Sequence, residues 1–112
     1  FRNKDVQVDK EKPTIISECG GYSFEIINHH FSRYNHYGYG TCDNREQVTE
    51  KIVSMYQKMI IPSIKEGLCG CVYTQLSDVE DEINGLITYD RKEVKVCSDK
   101  LLEISKILHS SL

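Results

Sequence analysis

Two short apolar runs lie far apart in this chain, and each is followed by a long loop and then by a helical stripe. The first, Thr14-Ile15-Ile16, is β-branched, starts behind Pro13 and continues to about Cys19. The second spans about Leu68 to Thr74. Both read as buried strands. Between them, Val48, Ile52, Met55, Tyr56, Met59 and Ile60 recur at three- and four-residue steps and predict a helix over Asp43 to Gly67. Asp43 followed by Glu46 has the form of a capping box, Pro62 is expected to kink or interrupt the helix, and Gly67 suits its end. A closing helix is expected from about Ser98, with Leu101, Ile104, Ser105, Leu108 and Leu112 on one stripe. The order strand, loop, helix, strand, loop, helix belongs to parallel α/β folds.

Two parallel strands do not make a stable sheet by themselves, because such a sheet is buried on both faces. The expectation is therefore a piece of a larger α/β fold. Residues 1–12 are charged and read as a connector, with at most a short edge strand at Val6 and Val8; residues 13–112 carry the fold. Both long loops follow strand C-termini, where (β/α)-barrels and open α/β sheets place their active sites.

The balance of charges narrows the function classes. A net charge of -3 and a pI near 5.8 leave no electrostatic footprint for nucleic acid or an anionic membrane. No apolar run reaches the ~20 residues of a membrane span. Five cysteines, an odd number, argue against a closed disulfide framework, and free thiols favour a reducing, cytoplasmic compartment. Cys69 and Cys71 match neither a redox nor a zinc spacing.

The first strand ends in Glu18-Cys19-Gly20-Gly21-Tyr22. A carboxylate at a strand exit serves as a nucleophile, a general base, a metal ligand or an ion-pair partner, or is merely solvated beside a Gly-Gly turn. The loop from Gly20 to Cys42 is crowded with rings, including Tyr22, Phe24, Phe31, Tyr34, Tyr37 and Tyr39, and reads as a binding loop. A short helical turn is expected around Glu25 to Phe31. His29, His30 and His36 lack a metal-ligand spacing and read as packing or hydrogen-bonding residues. After the second strand come Gln75, Ser77 and the acids Asp78, Glu80, Asp81 and Glu82. The calcium-loop pattern is missing there, so no metal and no cofactor is expected. Asp81 and Glu82 read as solvated, Asp78 and Glu80 as ordered.

Taken together, Ile16-Ser17-Glu18-x-Gly20-Gly21-Tyr22 and, a helix later, Gly70-x-x-Tyr73-Thr74-Gln75-x-Ser77-Asp78-Val79-Glu80-x-Glu82-x-Asn84-Gly85-Leu86 resemble the C-terminal end of the catalytic barrel in family-2 glycoside hydrolases. That family includes β-galactosidases and β-glucuronidases, and the resemblance runs from about Pro13 to Val96. It implies the last two βα units of a (β/α)8 TIM barrel, strands 7 and 8 with their helices, in a retaining β-glycosidase. Glu18 then stands at the nucleophile position. Gln75, Asp78 and Glu80 match the eighth-strand motif as site-lining or loop-ordering residues, and Tyr22 is a candidate hydrogen-bond donor. Tyr37, Gly38, Tyr39 and Gly40 fit the loop pattern. The implied partners are a carbohydrate substrate and the remainder of the barrel.

Three departures accompany the resemblance. Cys19 replaces the aromatic residue more usual after the nucleophile, there is no tryptophan, and no Asn-Glu pair marks an acid/base residue. The second carboxylate of a retaining pair is therefore expected upstream of Phe1, leaving the isolated segment inactive. The competing expectation is a non-catalytic α/β interaction module that covers its sheet edges by forming a homo-oligomer.

Overall fold

The computed structural model describes residues 11–31 and 40–112. Val6 and Val8, and the loop residues Tyr34, His36, Tyr37, Gly38 and Tyr39, lie outside the described residues. Strand β1 (Thr14–Gly20) is followed by the two-residue β2 (Tyr22–Ser23) and β3 (Gly40–Thr41). Helix α1 (Arg45–Met55), a π-helical turn (Tyr56–Ile60) and the single turn α2 (Ile61–Ile64) form one continuous rod. Strand β4 (Leu68–Thr74) and helix α3 (Ser98–Ser110) complete the order. The chain is thus a small α/β unit.

β1 pairs with β4 in parallel, and β2 with β3 likewise. Because β1 and β4 run the same way, the loops that follow them leave from the same end. One face of the β1–β4 ribbon lies against the helices. Ile16, Cys19, Cys71 and Tyr73 pack there on the buried Met55, Ile60 and Leu68. A second cluster, Cys42, Val48, Ile52 and Val96, is covered by Tyr22, Phe24, Leu86 and Leu101. The opposite face is open, with Ile15 66% and Val72 55% exposed.

The helix begins one residue later than its capping pattern suggested. Asn44, not Asp43, is the N-cap: its Oδ1 accepts from the Gln47 backbone N–H at 2.9 Å. Gln47 Oε1 in turn accepts from the N–H of Asp43, the residue before the cap, at 2.9 Å, a wider variant of the capping box. Pro62 disturbs the rod without breaking it, and the disturbance takes the form of the π turn before it. Ile61 N–H reaches back five residues to Tyr56 O. Proline has no N–H to give, and its ring collides with the carbonyl four residues back in a regular helix, so widening the preceding turn relieves both problems. Gly67, at φ +111°, closes the rod as expected. On α3, Ile104 is buried and Leu101, Ser105 and Leu108 are half-buried, whereas Leu112 is 77% exposed. The stripe stops short of Leu112 because the helix ends at Ser110. Within Glu25 to Phe31 the chain turns at Ile27 and Asn28, but the turn is not helical, with Asn28 at φ +70°.

Candidate site at the strand ends

The site is built where β1 and β4 finish side by side. Ile16 is paired with Cys71 and Cys19 with Tyr73, so β1 advances three residues while β4 advances two. The extra residue is a β-bulge at Ser17–Glu18, and it breaks the in-out alternation. Ile16 and Cys19 both face the helices, while Ser17 and Glu18 are both exposed. Without the bulge, period-two alternation would send Glu18 to the same side as Ile16, into the apolar core. The Glu18 side chain makes no hydrogen bond or ion pair with the described residues.

Beyond Glu18 the chain turns on two glycines. Gly20 and Gly21 have φ of +97° and +75°, a region that side-chain-bearing residues avoid. A Cβ on Gly20 would also run into the Tyr73 ring, which lies across it. Gly21 N–H donates to Thr74 O at 2.8 Å and ties the two strand ends together. The peptide between Thr74 and Gln75 is cis.

Tyr22 leaves this turn toward the helix layer. Its ring packs on both core clusters, with Lys51 Nζ 5.8 Å from the ring centre, and burial raises its hydroxyl pKa. Cys19 stays a protonated thiol, pushed up to about 11 by burial first and by Cys71 second. Its Sγ donates to Val72 O at 3.3 Å.

The loop after β4 is organised by one buried ion pair. Lys95 is fully buried and Asp78 is 4% exposed. Lys95 Nζ donates to Asp78 Oδ1 at 2.7 Å, to Oδ2 at 2.9 Å and to Ile83 O at 2.8 Å. Asp78 Oδ1 also accepts the Gly85 N–H at 2.8 Å. Burial pushes the Asp78 carboxyl up and the Lys95 ammonium down, and their pairing opposes both shifts. Asp78 thus orders the loop, with both oxygens engaged inside the protein. Glu80 is exposed at φ +49°, in a turn closed by reciprocal backbone bonds between Val79 and Glu82.

Gln75 follows directly on the end of β4. Its Nε2 donates to Asn84 Oδ1 at 2.7 Å and to Glu82 Oε2 at 3.1 Å. Glu82, expected to be merely solvated, therefore holds Gln75. The two loops are also joined farther out. His29 Nδ1 meets Asp90 Oδ2 at 2.8 Å, and Phe31 stacks at a tilt on Tyr89, ring centres 5.1 Å apart. His30 lies 3.3 Å from Glu25. Among the described residues, no group of three or more His, Cys, Asp or Glu side chains is placed to hold a metal ion. No helix among them is long and apolar enough to cross a membrane.

Of the residues singled out in the sequence, the structure brings Glu18 and Gln75 to neighbouring strand ends. Tyr22 goes to the core, Asp78 to an internal ion pair and Glu80 to an exposed turn. The chain matches no protein-family model and no curated protein.

Proposed function

We propose that this segment is the C-terminal part of the catalytic (β/α)8 barrel of a retaining β-glycosidase, with Glu18 as the nucleophile. The observation that carries the reading is the bulge. It turns a carboxylate out of the core at the end of a parallel strand, on the ribbon face away from the helices. In a barrel that face is the interior, and strand C-termini line the active site. The open face bearing Ile15 and Val72 fits the same reading, because further strands would cover it.

A retaining mechanism needs a second carboxyl group about 5–5.5 Å from the first. In the proposed enzyme an acid from another strand protonates the glycosidic oxygen while Glu18 attacks the anomeric carbon. Water activated by the same acid then releases the sugar from the covalent intermediate. The test is Glu18→Ala in the full-length protein, assayed on aryl β-glycosides. Loss of turnover by at least about a thousandfold is expected, and undiminished cleavage would remove the assignment. The same open apolar face also suits a second reading, a non-catalytic module that pairs with another copy of itself, and the two are separated by the association experiment below.

A further inference from the structure

A primary amide ordinarily offers two donors and an acceptor, so a ligand can meet it in either sense. At Gln75 that freedom has been removed. Glu82, when ionised, can only accept, so the side-chain nitrogen and not the oxygen of Gln75 must lie against it. The second N–H goes to Asn84 Oδ1 at 2.7 Å. Asn84 is itself fixed: it is 4% exposed, its backbone O accepts the Gln75 N–H at 3.4 Å, and its neighbours Ile83 and Gly85 are both bound by the Lys95–Asp78 pair. Both Gln75 side-chain hydrogens are spent, and Oε1 has no partner among the described residues.

Gly20 is paired with Thr74, which sets Gln75 three residues farther along than Glu18 on the adjacent strand. That is about 10 Å along the strands and about 5 Å across. The two residues thus stand near the ends of neighbouring strands, and one sugar ring with its hydroxyls spans such a separation.

The geometry points to Gln75 as a specificity residue that presents only an acceptor, taking a hydrogen bond from a hydroxyl of a neutral sugar, with Asn84 and Glu82 as its positioning residues. The inference rests on the glycosidase reading and adds the substrate class. A sugar that turned a carboxylate toward Oε1 would place an acceptor against an acceptor, beside the charge of Glu82, and leave both unpaired.

The experiment uses the full-length protein, an aryl β-galactoside, its four monodeoxy analogues and the corresponding aryl β-glucuronide. In the wild type, one deoxy analogue is expected to lose about tenfold in kcat/KM beyond the others. In Gln75→Ala that extra loss disappears, because the hydroxyl no longer has its partner. Glu82→Ala, an exposed substitution, and Asn84→Ala should shrink the same penalty, and Asn84→Asp, which keeps the accepting oxygen, should restore it. A purely structural role would lower all substrates alike. Identical deoxy penalties in wild type and Gln75→Ala overturn the inference, as does a glucuronide cleaved as fast as the galactoside. If the wild-type protein cleaves no aryl β-glycoside at all, it is the glycosidase reading that falls, and this inference with it.

Discussion

Lysine 95 is flanked by Val94 and Val96 and lies wholly inside the protein. A buried ammonium is tolerable only when paired and fully hydrogen-bonded, and Asp78 with Ile83 O supplies that arrangement. Removing the cation alone leaves an uncompensated buried carboxylate. Lys95→Met should therefore destabilise the protein by about 3–5 kcal/mol in urea unfolding. Lys95→Met combined with Asp78→Leu should recover part of this, yet not all, since Gly85 N–H and Ile83 O lose their partners, at about 1–3 kcal/mol each. A double variant no better than Lys95→Met would contradict this account. Asp90 acts at the surface by a different route. Its carboxyl is held down to about 2 by the Thr88 hydroxyl first and by His29 next. A folded pKa below the ordinary 3.8 means that the stabilisation is complete above that value and is lost as pH falls toward about 2. Melting temperatures of Asp90→Asn should accordingly fall less steeply than those of wild type across that window, and parallel curves would exclude the effect.

At the scale of elements, the first turn of α1 shows how far a sequence pattern reaches. Asp43/Glu46 and Asn44/Gln47 have the same spacing and similar chemistry, so the pattern places a cap there but leaves its register open. The structure uses Asn44 and Gln47. Asn44→Ala should cost about 1 kcal/mol, and Asp43→Ala, which removes no capping bond, clearly less; equal losses in chemical denaturation would place the cap elsewhere. The strands and long helices were legible because their periodicities are carried by many residues at once. The features of the site were not, for physical reasons. A bulge at Ser17–Glu18 is a mismatch between two strands and leaves no mark in either one alone. Asp78 and Lys95 are joined only once the loop folds back, although a lysine between two valines in an apolar piece was a signal that a carboxylate must be near. Glu82 looked like one more solvated acid because its role depends on where Gln75 ends.

Across the whole molecule, the two ribbon faces are treated unequally, and that limits what can cover them. The helix side is packed by two clusters, while Ile15 and Val72 project from the other side and, among the described residues, β1 and β4 have only each other as strand partners in their sheet. Gly70, paired with Ile15, keeps this face low: a Cβ there would meet Ile15 Cγ2 at 2.9 Å. A parallel ribbon with one bare face and bare edges attracts whatever can cover it. The 112-residue chain, prepared alone, should therefore associate with rising concentration in sedimentation and bind a hydrophobic dye. Ile15→Lys with Val72→Lys should suppress both, since the charges desolvate poorly against a neighbour. On the barrel reading proposed above, further strands cover that face in a longer protein, so its wild type should show neither behaviour and the same two lysines should destabilise it. Discrete, stable dimers of the isolated chain that persist at low concentration, with full-length protein indifferent to the lysines, would instead favour the self-pairing module over the barrel.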